Sequence, residues 1–362
     1  MNNMSNGISI YLGLDNHLDE NIELIKKAAN AGIKRIFTSL HIPEADAEVL
    51  KAELKKILAA AKEYNMDVIS DISPRAMKIL GFAGFSLNHF SQLGIETLRL
   101  DDGFTFDDII TMSNNDLGIK LQLNASTITK DFLENLKEAG TDMSNIEAMH
   151  NFFPRENTGL SEEFVYKKTR LLHEYDIKVS AFIPSFNRPR SPIFAGLPTL
   201  ELHRKTSFDF SLRHLLAMGI DSVFVGDSLP NDKEIWLLGS FSDTDAVLLR
   251  PAPWTVDDDI IKLLKMPYTT RPDEARDVIR TQESRRYARD SAISIKSDNC
   301  GPRNAGYVTL DNENYGRYQG ELQIIKEYLP PDHRVNIVAS LSNDEKLLIK
   351  YLTPGKAFKF IL

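Results

Sequence analysis

The sequence predicts an α/β protein, in which a (β/α)8 TIM barrel is followed by a smaller β-rich domain. Eight short apolar runs recur across the first two-thirds of the chain, amphipathic segments with helical spacing separate most of them, and the pattern changes after Asp227. Continuous apolar strands that alternate with amphipathic helices are typical of a parallel sheet covered by helices. Eight such units are enough to close a barrel.

The elements of the barrel follow in chain order. The predicted strands are residues 8–12, 35–40, 67–72, 97–100, 120–123, 146–149, 179–183 and 222–225. The predicted helices between them include residues 21–31, 47–64, 130–139, 162–175 and 208–218, and a short helix over 232–238 completes the eighth unit. Each apolar run stops on a polar or charged residue. Since chemistry in such barrels takes place at the C-terminal ends of the strands, we expect an active site there.

The last third of the chain predicts a second domain. A strand is expected over 245–250, a helix over 269–289, and short β-like runs at 292–296, 306–310, 321–326, 335–339 and 357–362. Short strands at this spacing predict a small β barrel or sandwich. Because 362 residues exceed what one barrel usually needs, we place the barrel at residues 1–241 and the β-rich domain at 242–362.

Composition limits the class of partner. The formal net charge of −8 argues against nonspecific binding of nucleic acid, which requires a basic face. No apolar run approaches the roughly 20 residues that span a bilayer, so no membrane partner is expected. The N-terminus lacks the pattern of a signal peptide, and the single cysteine, Cys300, excludes an internal disulfide. Together these features predict a cytoplasmic location.

Carboxylates at the strand ends are the candidates for catalysis. Asp101 and Asp227 come at the ends of predicted strands and form the leading pair, with Glu44 and Asp71 as alternates. Glycoside hydrolysis needs one carboxylic acid and one carboxylate in this kind of arrangement. Structural roles are the alternative: Asp71 as a helix cap, Glu44 as a helix start, and Asp101 or Asp227 as a buried hydrogen-bonding group. The sequence does not decide which carboxylate is the acid.

Arginines near the last strands suggest an anion site. Four of them follow the sixth and seventh predicted strands, namely Arg155, Arg188, Arg190 and Arg204. Late loops of such barrels often bind phosphate, although solvated loop charges are the alternative. Two histidines near strand ends, His41 and His150, lack a third ligand at an expected spacing, so no metal and no cofactor is expected.

Several longer motifs resemble a known family. They are Thr38-Ser39-Leu40-His41-Ile42-Pro43-Glu44, Arg99-Leu100-Asp101-Asp102-Gly103-Phe104, His150-Asn151-Phe152-Phe153-Pro154-Arg155 with Thr158-Gly159-Leu160, and Gly196-Leu197-Pro198-Thr199-Leu200-Glu201 with His203-Arg204. These motifs resemble the MupG-type 6-phospho-N-acetylmuramidases. Residues 311–324 are similar to that family's second domain, which is cyclophilin-like. The resemblance runs through nearly the whole chain.

The resemblance implies hydrolysis of a disaccharide in which N-acetylmuramic acid 6-phosphate is linked to N-acetylglucosamine, during recycling of peptidoglycan inside the cell. Such a substrate carries a phosphate and a lactyl carboxylate, and the planar fork of arginine suits both groups. Sugar hydroxyls or the acetamido group would then contact Asn124, His150 and Asn151. The further expected substrate contacts are His41, Glu201, His203 and, from the second domain, Arg317 and Tyr318.

Two other classes of function compete with hydrolysis. An aldolase or isomerase acting on a sugar phosphate would use the same arginines but needs a Schiff-base lysine or a metal, and no lysine ends a predicted strand. A noncatalytic binder of cell-wall fragments would keep the arginines without needing the carboxylates. The stereochemical outcome depends on the separation of the carboxylates, and neither it nor the oligomeric state follows from the sequence.

Overall fold

Eight parallel strands close into a barrel, in the order of the chain. The strands are β1 (Gly7–Ile10), β2 (Arg35–Ser39), β3 (Asp67–Ile72), β4 (Thr97–Leu100), β5 (Lys120–Asn124), β6 (Ile146–Met149), β7 (Lys178–Ile183) and β8 (Ser222–Val225). Gly7 of β1 pairs with Phe224 of β8 and completes the circle. The predicted (β/α)8 barrel is therefore confirmed.

The computed structural model describes residues 5–39, 47–72, 77, 81–82, 84–100, 103–241 and 245–362. The chain divides into two compact units, Met1–Asp243 and Thr244–Leu362. Within the described residues, no helix is long and apolar enough to span a bilayer.

The helices of the barrel lie between the strands, close to their predicted positions. They are α1 (Leu18–Asn30), α2 (Ala47–Glu63), α3 (Leu87–Leu93), α4 (Phe106–Ser113), α5 (Lys130–Glu138), α6 (Glu162–His173), α7 (Phe208–Ala217) and α8 (Asp232–Ser240). Polar side chains fix where several of them begin. Thr129, Ser161 and Ser207 each accept a hydrogen bond from the backbone N–H three residues further on. Such caps satisfy donors that the first turn of a helix otherwise leaves unpaired.

Aromatic side chains fill the barrel interior. The cluster of buried residues consists of Tyr11, Phe37, Ile69, Met149, Phe182, Leu197 and Phe224, with Phe152 packed against it. Space for the Phe224 ring depends on Gly7, because a Cβ atom at Gly7 would lie 2.0 Å from Cε1 of that ring. The interior is therefore a packed core that leaves space for a ligand only at its ends.

A buried ion pair lies inside the barrel, near the N-terminal ends of the strands. Arg35 begins β2, Glu147 is the second residue of β6, and their side chains meet in the interior at 2.5 Å. Gln122 of β5 donates a second hydrogen bond to the same carboxylate oxygen at 2.7 Å. Since both charged side chains are almost fully buried, each depends on the other for compensation of its lost hydration.

Removing one member of this pair should be costly. We expect Glu147→Leu to lower the free energy of unfolding by about 3–5 kcal/mol, because it leaves the Arg35 guanidinium buried without a counter-charge. The double variant Arg35→Met/Glu147→Leu should recover much of that loss. Urea unfolding of the wild type, the two single variants and the double variant measures both effects. Equal stability of Glu147→Leu and the wild type would contradict the expectation.

The second unit is rich in strands, as predicted. A five-stranded sheet has the order β10-β15-β13-β14-β12, and a three-stranded sheet has the order β11-β16-β9. Their strands are β9 (Val247–Leu249), β10 (Ala252–Pro253), β11 (Pro267–Thr269), β12 (Val278–Arg280), β13 (Tyr307–Asp311), β14 (Leu322–Ile325), β15 (Val335–Ser340) and β16 (Ala357–Phe360). The helices are α9 (Asp258–Leu264), α10 (Ser284–Asp290) and α11 (Asn343–Lys346).

The helix predicted over residues 269–289 is wrong. Only its last part is helical, as α10, and its middle forms the edge strand β12. Val278 and Ile279 pair with Ile325 and Ile324 of β14, so cross-strand pairing of β-branched side chains outweighs the helical spacing. The strand predicted over 292–296 is also wrong: this fully described segment belongs to no sheet, and the carbonyl of Ile295 accepts one hydrogen bond, from Glu313.

Candidate active site

A small cavity lies at the C-terminal ends of the barrel strands. Its volume is about 150 Å³, and its lining consists of Phe37, Asp71, Arg99, Asn151, Phe152 and Phe182. Asp71 comes from the end of β3, Arg99 from the neighbouring strand β4, and Asn151 from the loop after β6. Parallel strands in a closed barrel bring their C-terminal ends to the same rim, which is why residues distant in sequence meet here.

Arg99 connects the polar groups of this cavity. One terminal nitrogen of its guanidinium donates to Oδ1 of Asp71, and the other donates to Oδ1 of Asn151. Only 6% of the Arg99 side chain and 15% of the Asp71 side chain are exposed. A guanidinium beside a shielded carboxylate favours the ionised form of that carboxylate, and Asp71 also lines the cavity. Arg99 was not among the predicted site residues, although a charged residue inside a four-residue apolar strand is a signal in the sequence.

Asp227 has a different environment, fully buried beneath the loop that follows β7. Its Oδ2 accepts hydrogen bonds from the backbone N–H groups of Ser185 (2.9 Å) and Leu197 (3.2 Å), and its Oδ1 accepts one from Arg190 (2.9 Å). Burial raises the pKa of Asp227 to about 6, although these three hydrogen bonds act in the opposite direction. The carboxyl group therefore anchors residues 184–200, which we call the β7 loop.

Arg190 extends from the β7 loop over the aromatic rings of the barrel. Its guanidinium carbon lies 4.6 Å from the centre of the Tyr11 ring and 5.1 Å from that of Phe152. Within the described residues, Nε is its one side-chain nitrogen with a hydrogen bond, to the carbonyl of Ser191 at 3.3 Å. The two terminal nitrogens are thus available to a ligand, and the cation–π contacts with two rings hold the guanidinium at this position.

The four predicted arginines do not form one cluster of free charges. Arg188 is paired with Glu20 at 3.0 Å and also donates to Asn16, whereas the Arg155 side chain is exposed. Arg204 is 6% exposed and uses its guanidinium entirely on the protein. Arg190 is therefore the arginine of this set that the structure brings to the aromatic mouth of the barrel.

Arg204 and Glu201 together hold two loops. The guanidinium of Arg204 donates hydrogen bonds to the carbonyls of Phe153 and Arg155, which follow β6. It also donates to the carbonyls of Ala195 and Gly196 in the β7 loop and to the carboxylate of Glu201. Glu201 in turn accepts hydrogen bonds from the backbone N–H groups of Asn157 (2.9 Å) and Gly159 (2.8 Å). The Arg204 guanidinium lowers the pKa of Glu201 to about 2. The structure thus gives this pair a positioning role for the loops around the mouth.

Two predicted histidines are buried. His150 follows β6 directly, its Nδ1 lies 3.0 Å from Oγ of Ser126, and burial lowers its pKa to about 3, so its ring is neutral. Nε2 of His203 lies 3.0 Å from Nδ1 of His214, and Nε2 of His214 lies 2.8 Å from Oε1 of Glu162. Burial lowers the pKa of His203 well below its usual value. In this second group, Glu162 is the first residue of α6 and His214 lies in α7.

The remaining predicted residues lie elsewhere. Asn124 ends β5 and uses its Oδ1 to accept the backbone N–H of Ser126. Arg317 donates to the hydroxyl of Tyr318 within the second unit and lies 5.0 Å from the centre of that ring. Substrate contacts of these residues stay predictions. The predicted catalytic residues Asp101 and Glu44, and the predicted ligand His41, lie outside the described residues.

Comparison with known proteins identifies the family. The family model described as 6-phospho-N-acetylmuramidase, N-terminal, matches residues 6–240, and its C-terminal counterpart matches residues 253–361. The chain belongs to the 6-phospho-N-acetylmuramidase family. A search of curated proteins finds no match. The family description supports a glycosidase-type function for this chain, acting on a phosphorylated sugar.

Two solved structures share the whole architecture. A B. cereus protein described as uncharacterized is 29% identical, with a TM-score of 0.85, and the alignment covers 99% of each chain. A conserved Enterococcus faecalis protein of unknown function is 35% identical, with a TM-score of 0.70, and the alignment covers 99% of this chain and 96% of that one. Both units of this 6-phospho-N-acetylmuramidase family member therefore occur together in related chains.

The anchoring role of Asp227 has a pH-dependent consequence. We expect Asp227→Asn to destabilise the protein by about 1–3 kcal/mol, since an amide cannot accept hydrogen bonds at both of its ends. The pKa of Asp227 in the folded protein, about 6, lies above its ordinary value of 3.8. The folded state therefore binds the proton more tightly, and the stability of the wild type relative to the variant rises as the pH falls from above 6 toward 4.

Urea unfolding of both proteins at pH 7.5 and pH 5 measures this difference. A stability difference that is larger at pH 7.5 than at pH 5 would contradict the expected direction. An Asp227→Asn variant with wild-type stability at both values would show that the carboxyl group does not anchor the loop.

Proposed function

We propose that the protein is a glycoside hydrolase that releases N-acetylmuramic acid 6-phosphate from N-acetylglucosamine in the 6-phosphorylated disaccharide, within the cytoplasmic recycling of peptidoglycan. The observation that carries this proposal is the position of Arg190. Its guanidinium carbon lies 5.1 Å from the centre of the Phe152 ring, and this ring and Asp71 both line the cavity. An anion-binding group and a carboxylate thus share one site, as a phosphorylated glycoside requires.

Asp71 suits one of the two roles in this chemistry. Glycosidases need an acid that protonates the leaving oxygen and a carboxylate that attacks the anomeric carbon or activates water. Asp71 is ion-paired with Arg99, which favours the ionised form and hence the second role. Asp101 and Glu44 remain the candidates for the acid. The two oxygens of Asp227 accept hydrogen bonds from backbone N–H groups, so we assign Asp227 to positioning of the β7 loop and not to catalysis.

Arg190 suits the 6-phosphate of the substrate. A guanidinium donates two parallel hydrogen bonds to a phosphate, and the low dielectric constant of an aromatic mouth strengthens such contacts. Phe37, Phe152 and Phe182 supply the apolar lining. The neighbouring polar group, Asn151, is held by Arg99 and therefore has a fixed orientation toward the cavity.

Loss of the Arg190 charge should reduce activity on the phosphorylated disaccharide specifically. We expect Arg190→Gln to lower kcat/KM for this substrate on the order of a hundredfold, because charge-assisted hydrogen bonds are lost. Activity on the unphosphorylated disaccharide should already be low in the wild type and should change little. A steady-state assay that follows released N-acetylglucosamine measures both substrates.

Arg188→Gln is the matched control, since that guanidinium is paired with Glu20. It should retain the phosphate preference of the wild type. Comparable rates of the wild type on the two disaccharides would refute the proposed role of the phosphate.

Asp71→Asn should abolish turnover. The amide keeps the shape of the carboxylate but acts as neither nucleophile nor base, and we expect kcat to fall about a thousandfold or more. Thermal unfolding and binding of the reaction product show whether the variant is folded and competent to bind. If kcat stays near the wild-type value, Asp71 is not catalytic, and Asp101→Asn and Glu44→Gln become the variants to assay.

One experiment separates hydrolysis from the two rival functions. Purified protein is incubated with the phosphorylated disaccharide, with and without a chelator, and the products are identified by mass spectrometry. Hydrolysis adds one water and releases N-acetylglucosamine in both conditions. An aldolase or isomerase yields products of another mass or connectivity, and a noncatalytic binder leaves the disaccharide intact.

A further inference from the structure

Three large apolar side chains of the β7 loop face solvent. Phe186 is 54% exposed, Ile193 is 49% exposed and Phe194 is 59% exposed. The loop backbone that carries them is fixed at several points. Asp15 accepts the N–H of Ser191 at 2.9 Å, in addition to the contacts of Asp227 and Arg204 described above. The fixed path of the loop backbone therefore keeps these side chains exposed.

Phe194 is also strained. Its φ angle is +59°, in the left-handed region that a bulky residue adopts only at a cost in free energy. A glycine at this position would carry no such cost. An exposed aromatic side chain gains little from burial to offset its backbone strain, and this combination is typical of ligand-binding residues.

The position of Phe194 connects it to the anion-binding arginine. The backbone N–H of Phe194 donates to the carbonyl of Arg190 at 3.1 Å, so a single turn of chain joins the two residues. Arg190 itself extends to the Tyr11 and Phe152 rings at the mouth of the barrel. One fixed loop thus presents a cation with free donors and, one turn further on, an apolar ring.

We infer that Phe194 is a specificity-determining residue, whose ring packs against the apolar face of the sugar whose phosphate binds Arg190. The ligand class is a pyranose phosphate, in which C–H groups cover one face of the ring and the charge is carried on an exocyclic arm. The negative face of an aromatic ring suits contact with such C–H groups, and the contact buries apolar surface on both sides. This inference rests on the proposed function.

The test separates the contribution of the ring from that of the charge. Phe194→Gly removes the ring and accepts the left-handed backbone, so the loop keeps its path, whereas Phe194→Tyr keeps the ring. Isothermal titration calorimetry measures the binding of N-acetylmuramic acid 6-phosphate and of inorganic phosphate to each protein. We expect Phe194→Gly to weaken binding of the sugar phosphate about threefold to tenfold. Inorganic phosphate should bind all three proteins equally, and Phe194→Tyr should match the wild type.

Each other outcome counts against the inference in its own way. Absence of sugar phosphate binding by the wild type overturns the proposed function and this inference with it. Unchanged sugar phosphate affinity of Phe194→Gly overturns the role of the ring alone. Equal weakening for inorganic phosphate shows that the substitution displaced Arg190. Concentration-dependent self-association of the wild type that Phe194→Gly abolishes, measured by sedimentation, shows that the ring instead contacts a second copy.

Discussion

The carboxyl group of Asp227 is the point on which the candidate site depends. Taking a carboxylate out of water costs several kcal/mol unless hydrogen bonds replace the lost hydration. Here backbone N–H groups from both ends and the middle of the β7 loop provide that replacement, at Ser185, Arg190 and Leu197. The same bonds determine the path of the loop. The position of Arg190 over the aromatic rings follows from this path, which Asp15 and Arg204 also help to fix.

Two charged pairs, both largely shielded from solvent, have different roles at the rim. Arg204 and Glu201 use nearly all of their hydrogen-bonding capacity on loop backbone, so they fix geometry and leave little for a ligand. Arg99 and Asp71 are also shielded, yet Asp71 borders the cavity. The first pair joins the loops after β6 and β7, and the second sets the charge of a group in the cavity. Arginine serves both purposes because its planar fork donates in several directions at once.

Sequence spacing predicted the barrel because the constraint is local and repetitive. Each strand of a parallel sheet is buried on both faces and each helix is buried on one, so hydrophobic patterning alone indicates all eight units. The second unit was less predictable. The run from Val278 to Arg280 is a strand only because β14 lies beside it, and nothing within residues 269–289 encodes that neighbour.

For the site, the sequence by itself determined which residues reach the rim, because strand ends and loops follow from the pattern. Asp71, Asp227, Asn151 and Arg190 lie at or after the C-terminal ends of β3, β8, β6 and β7. Their roles were decided only by the tertiary structure. Asp71 and Asp227 both lie near the C-terminal ends of strands, yet Asp71 borders a cavity, whereas Asp227 accepts hydrogen bonds from three backbone N–H groups. The physical reason is that function depends on hydration and on partners, which come from segments distant in sequence.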